Sequence, residues 1–130
     1  PETREQIAQY AINESLLMWG AESMYNFMLE KDAPGRFVYL YPLLNEDYVT
    51  ETMVDDLHEA IIEDKPVIID TSPTRGGIPP INTRDRKIWS QSRNFQVPLS
   101  VDALLIWVEN NYDQVAQLED TDWLVYYPAE

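Results

Sequence analysis

The chain contains no cysteine. Disulfides, thiolate metal sites and cysteine nucleophiles are therefore excluded, although this absence assigns no redox compartment. Histidine occurs once, at His58, so a multi-histidine metal centre is excluded too. No apolar run reaches the roughly 18 residues that a membrane-spanning helix needs. No signal-peptide pattern is read at the start, and Pro1 in place of Met is taken as the start of an excised or cleaved piece. Positive charge is scarce. Nine Lys and Arg face 23 Asp and Glu, for a net charge of −14, which repels phosphate backbones and argues against nucleic-acid binding. Only four glycines are present. The sequence holds neither Gly-x-Gly-x-x-Gly nor a Gly-x-x-x-x-Gly-Lys-Ser/Thr phosphate loop, and no Gly-x-Ser-x-Gly elbow.

What is present fits one packed domain. The 130 residues, 45% of them hydrophobic, are enough for a core that buries about two thirds of the unfolded surface. The organising stretch is Ser15 to Glu22. Leu16, Leu17, Met18 and Trp19 are apolar on both faces, as in a strand enclosed by two helix layers, and Gly20 permits a tight turn or a close backbone approach. A helix over about 21–30 follows, with Ala21, Met24, Tyr25 and Met28 on its apolar stripe, and Arg36 to Tyr41 reads as a second strand ended by Pro42. Val67, Ile68 and Ile69, leading into Asp70-Thr71-Ser72, make a third enclosed strand.

Helices are expected between and around these strands. Thr3 and Gln6 form a capping-box pair ahead of Ile7, Tyr10 and Ala11. Thr50 caps a helix carrying Met53, Val54, Leu57, Ala60 and Ile61, whose other face is acidic; His58 beside it reads as a surface residue. Ser100 caps a helix with Val101, Leu104, Leu105 and Val108 inward, while Ile106 and Trp107 widen its apolar surface. Tyr112 to Leu118 and Trp123 to Tyr127, joined by a polar connector, predict an antiparallel hairpin at a sheet edge. The expected fold is thus α/β over residues 1–130: a three-layer sandwich with a Rossmann-like parallel central sheet, completed by that C-terminal hairpin.

One segment stands apart. Arg75, Arg84, Arg86, Lys87 and Arg93 lie between Ser72 and Leu99 with Asp85 as the one acid there, so this part carries +4; the remaining four basic residues face 22 acids, or −18. With Gly76-Gly77, Pro79-Pro80 and no sustained period, residues 73–99 read as a long basic loop that holds short extended pieces near Lys87 to Ser90 or else serves as a flap or docking surface.

Ligands of open parallel sheets sit beyond the carboxyl ends of the strands. That rule selects Trp19, Gly20 and Glu22, then Tyr41, then Asp70 and Thr71, with Arg75 leaving the same edge; Arg84, Arg86, Lys87 and Arg93 form the basic contact loop. Glu22 and Asp70 would be an acid/base or cation pair, or else Glu22 balances a helix start and Asp70 caps the exit into the loop. Such an edge would serve either a stand-alone small-molecule binding module or a hydrolase using the two carboxylates, and both stand as alternative functions.

Taken in order, the motifs Leu-Met-Trp-Gly-Ala-Glu (17–22), Arg-Phe-Val-Tyr-Leu-Tyr-Pro-Leu (36–43), Tyr48, Ile-Ile-Asp-Thr-Ser (68–72), Asn-Tyr (111–112) and Trp-Leu-Val-Tyr (123–126) are similar to a known pattern. Over residues 3 to 128 the chain resembles the soluble C-terminal domain of bacterial polytopic membrane glycosyltransferases, the multi-pass enzymes related to dolichyl-phosphate-mannose protein mannosyltransferases and aminoarabinose transferases. The resemblance implies an extracytoplasmic accessory domain of an enzyme that moves a sugar from a polyprenyl-phosphate donor. In such enzymes the catalytic acid lies between membrane helices, so no catalytic, cofactor or metal residue is carried over. The implied partners are the membrane-embedded part of the parent protein and lipid phosphate headgroups.

Overall fold

The computed structural model describes residues 2–11, 14–20, 51–75, 79–119 and 121–129. The helix and strand expected over 21–41, with Glu22, Tyr41 and Thr50, lie outside the described residues. In chain order the elements are α1 (Glu2–Tyr10), β1 (Leu16–Trp19), α2 (Glu51–Asp64), β2 (Val67–Asp70), α3 (Ser72–Arg75), α4 (Thr83–Arg93), α5 (Leu99–Asn111), β3 (Tyr112–Gln117) and β4 (Leu124–Pro128).

The protein is α/β, and among the described residues the sheet is four-stranded and mixed, in the order β1-β2-β4-β3. β1 and β2 are parallel, with Leu16 opposite Val67 and Trp19 opposite Asp70. β4 runs antiparallel to β2, placing Val125 beside Ile69, and β3 pairs antiparallel with β4. The antiparallel hairpin is present and joins the edge of the parallel β1–β2 pair through β4, leaving β3 terminal, so the sheet is mixed rather than simply parallel. Side-chain chemistry explains the order. Val125 and Tyr126 point to opposite faces and both are buried, which suits an interior strand, whereas β3 is exposed over Asp113 to Val115. A register shift between Gln114 and Ala116 leaves Val115 unpaired, a bulge of the kind that blunts an exposed edge.

Alternation along the strands sorts the core into two clusters. Leu17, Trp19, Ile68 and Tyr126 pack with Val54, Leu57 and Ile61 of α2 and with Val101, Leu104, Leu105 and Val108 of α5. Leu16, Met18, Val67, Ile69 and Val125 pack with Ile7, Ala11, Leu118 and Trp123. Each fully buried Leu, Ile or Val contributes about 1.5–3 kcal/mol of burial free energy.

Several local expectations are corrected. α1 already begins at Glu2, so Thr3 sits inside the helix, and the Gln6 side-chain carbonyl accepts from the Glu119 backbone N–H rather than closing a capping box. α5 begins at Leu99 behind Pro98, with no side-chain cap, so Ser100 is a first-turn residue. His58 is half-buried rather than on the surface, its ring edge-on to Trp107 at 4.6 Å between centroids. The largest correction concerns the basic loop. Residues 83–93 form the helix α4, started by Asn82, whose side-chain carbonyl accepts from the Asp85 N–H at 3.0 Å, and ended by Asn94 in the left-handed conformation. The helix shows no apolar stripe because its inward residues are polar or aromatic: Thr83, Arg86, Trp89 and Ser90.

Candidate functional site

β1 and β2 end side by side at Trp19 and Asp70, and Thr71 N–H donates to the Trp19 carbonyl at 2.8 Å. The Thr71 hydroxyl donates to the same carbonyl at 2.9 Å. Gly20 turns away at φ +127°, and a Cβ built there would lie 1.8 Å from Thr71 Oγ1, so only glycine fits the close approach. Four expected edge residues, Trp19, Gly20, Asp70 and Thr71, are thus brought together. The backbone of Arg75 closes the four-residue α3 directly after them, and its side chain is outside the described part.

The edge is closed rather than open. Asp70 and Thr71 are 0% exposed and Ser72 is 2% exposed. The Asp70 carboxylate accepts from the Ser72 N–H at 2.9 Å and, through its other oxygen, from the Ile81 N–H at 3.1 Å. The Trp19 indole N–H donates to the Pro79 carbonyl at 2.8 Å. Residues 79–82 are therefore pinned across both strand ends. Burial raises the Asp70 pKa, opposed by the hydrogen bonds from Ser72 and Ile81. Among the described residues the buried Tyr126 hydroxyl has no hydrogen-bond partner. Its pKa is likewise raised, first by burial and then by the negative charges of Asp70, Glu109 and Asp85.

The pinned segment leads into α4, which is held by a second polar set. Glu109 of α5 accepts from the Thr83 N–H at 3.0 Å and from the Thr83 hydroxyl at 2.5 Å. Arg86 is 2% exposed. Its Nε donates to Asp102 at 2.7 Å, and one terminal nitrogen donates to the carbonyls of Pro80 at 3.1 Å and Ile81 at 2.5 Å. The planar guanidinium suits this task because it offers several donors in fixed directions. Arg86 is consequently an internal strut and not a residue of the basic contact surface, which corrects its assignment from sequence.

The other three cations of α4, Arg84, Lys87 and Arg93, are exposed. Arg93 sits 5.2 Å from the Trp89 ring centroid, and Trp89 meets Phe95 edge-on at 5.7 Å. Lys87 stands between two depressions. One, of about 210 Å³, lies between α4 and the start of α5 and includes Ser90, Val97, Leu99 and Asp102. The other is an open groove of about 660 Å³ with Arg84, Ile88, Gln91 and Glu109 along it.

Sequence reasoning missed the partners that close the edge, Pro79 and Ile81, and the carboxylate of Glu109 that holds Thr83. One available signal was Asn82 followed three residues later by Asp85, a helix-start spacing. Among the described residues no group of three or more His, Asp or Glu side chains is placed to hold a metal ion. No described helix is long and apolar enough to cross a membrane. No family model, curated protein or solved structure matches the chain.

Proposed function

We propose that this chain is an accessory, non-catalytic domain of a membrane-bound glycosyltransferase that uses a polyprenyl-phosphate sugar donor, held at the extracytoplasmic face through its parent protein. The identity of the parent rests on the motif resemblance over residues 3 to 128. The accessory role rests on one observation: the strand-end carboxylate that would serve a reaction, Asp70, is 0% exposed and occupied by the backbone N–H groups of Ser72 and Ile81. A general acid or base must come within hydrogen-bond reach of its substrate, and this one is turned into the protein as a structural acceptor. The same closure disfavours a small-molecule site at Asp70 and Thr71. The finer architecture of the reading, a Rossmann-like three-layer sandwich, draws support from core clusters on both faces of the sheet.

Two measurements test the proposal. The reading frame upstream of Pro1 should encode many apolar spans; a frame without them removes the membrane parent. A thermal-shift screen of the purified chain with soluble sugars and nucleotides should give no large stabilisation, because a ligand that binds the folded state raises the melting temperature by mass action. A large shift with a soluble metabolite, or turnover of a glycoside by the chain alone, would replace the accessory reading with a binding module or a hydrolase.

A further inference from the structure

α5 is apolar on two sides. Val101, Leu104, Leu105 and Val108 face the core. Leu99, Ala103, Ile106 and Asn110, at i, i+4, i+7 and i+11, make the opposite, solvent-facing stripe. Leu99 is 78% exposed and Ile106 39%. The two acids of α5 are directed sideways, towards α4, at Arg86 and Thr83, so the outward stripe carries no charge. Trp107 widens it towards α2, where its ring meets His58, and Ile62, one turn along from His58, is 47% exposed. A helix that is apolar all round is ordinarily covered. This one keeps an open stripe in a chain with 23 acidic and nine basic residues.

The α2 edge of the stripe is acidic. Asp55, Glu59 and Glu63, at i, i+4 and i+8, run exposed along α2 beside Ile62, and α2 holds no Lys or Arg. The α4 edge is close to balanced: Arg84 and Lys87 share a groove with Glu109, and Arg86 is paired with Asp102. Together α2, α4 and α5 carry nine acidic and four basic residues. We propose that the outward face of α5 and α2 is a docking surface for a cationic amphipathic helix of a partner protein. Its apolar stripe covers Leu99, Ile106 and Ile62, and its Lys or Arg residues lie along one edge, against Asp55, Glu59 and Glu63. Charge complementarity selects this occupant. A second copy of the chain brings the same excess of acid, and like charges facing each other across an interface are costly. An anionic membrane surface is repelled for the same reason. The extent fits a helix as well: the 13 residues of α5 span about 20 Å, room for the i, i+4, i+7 anchors by which amphipathic helices dock. The inference does not depend on the membrane parent.

The test is calorimetric titration of the 130-residue chain with a synthetic helical peptide of about 14 residues, four turns, made of leucine and lysine with the lysines along the edges of one leucine stripe. Two control peptides keep its length. One carries glutamate in place of lysine; the other has the leucines and lysines shuffled so that no stripe forms. Binding is expected for the striped lysine peptide alone. Leu99→Ser and Ile106→Ser should each weaken it about tenfold, with the melting temperature of Leu99→Ser unchanged. Asp55→Asn, Glu59→Gln and Glu63→Gln together should weaken it about tenfold at low salt. Asp113→Asn, Glu119→Gln and Asp122→Asn remove the same charge on β3 and its connector to β4, and should change it by less than about twofold. No binding, equal binding of the shuffled peptide, binding retained by both serine variants, or equal weakening by the two triple variants would overturn the proposal. Self-association of the chain in sedimentation equilibrium that Ile106→Ser abolishes would overturn it too, because a second copy would then cover the stripe.

Discussion

Gly20→Ala should be among the most damaging single-methyl additions in this protein. The added Cβ meets Thr71 three times, at 1.8 Å from Oγ1, 3.1 Å from Cβ and 3.6 Å from the carbonyl carbon. Thr71 can avoid the shortest contact only by rotating its hydroxyl away from the Trp19 carbonyl, giving up the 2.9 Å bond at a site that is 0% exposed. An unsatisfied buried hydroxyl costs about 1–3 kcal/mol, and a side chain at φ +127° adds about 1–3 kcal/mol of backbone strain. The sum, roughly 2–6 kcal/mol, is a large share of the roughly 5–15 kcal/mol that stabilises an ordinary domain. Thr71→Ala alone should cost about 1–2 kcal/mol, because the Trp19 carbonyl keeps the Thr71 N–H. In the double variant the 1.8 Å clash is gone while the strain and the 3.1 Å contact remain. Its cost should therefore fall short of the sum of the single variants by about 1–2 kcal/mol. Urea unfolding followed by tryptophan fluorescence measures all three, with the slopes checked for constancy. A loss below about 1 kcal/mol for Gly20→Ala, or additivity within about 0.5 kcal/mol, would refute the close approach as the reason for glycine.

Arg86→Lys should lower stability by about 2 kcal/mol, since an ammonium cannot reproduce the guanidinium's bonds to Asp102, Pro80 and Ile81; Lys87→Ala on the outward face should stay within about 0.5 kcal/mol, and the pair is compared by thermal unfolding. Tyr126→Phe should be neutral or stabilising, because its buried hydroxyl has no partner among the described residues, whereas Tyr112→Phe should cost about 1 kcal/mol by breaking the 2.8 Å bond to the Pro66 carbonyl. The raised pKa of Asp70 makes the folded state bind its proton more tightly than the unfolded state. The resulting stabilisation is full below the ordinary aspartate value and is lost as pH rises through the folded-state value. The stability difference between the wild type and Asp70→Asn should therefore shift against the wild type over that rise; a difference that is flat or moves the other way in pH-dependent urea unfolding would contradict the burial argument.

The elements differ in how openly their residues declare them. β1 and β2 are written as short apolar runs, and the hairpin as two apolar segments around a polar connector, so both were legible. α2 and α5 carry inward residues at helical spacing. α4 was not legible, because the residues it turns inward are Thr83, Arg86, Trp89 and Ser90. An arginine reads as a surface residue until four acceptors, on Asp102, Pro80, Ile81 and Thr83, are placed around it. Asp70 misleads in the same way. Its position at a strand end is visible, but its use depends on the backbone N–H of Ile81, eleven residues on.

Local chemistry alone thus determined the described strand segments, the confinement of positive charge to one segment and the exclusion of thiol and multi-histidine chemistry, whereas the need for glycine at position 20 came from Thr71 on the neighbouring strand. Tertiary structure alone decided that β4 lies between β2 and β3, that Asp70 faces inward as an acceptor, and that Arg86 is a strut while Arg84 and Lys87 are surface. The division has a physical basis. Periodicity and backbone permissiveness act over a few neighbouring residues, whereas burying a charged group is tolerated only when distant segments supply its partners.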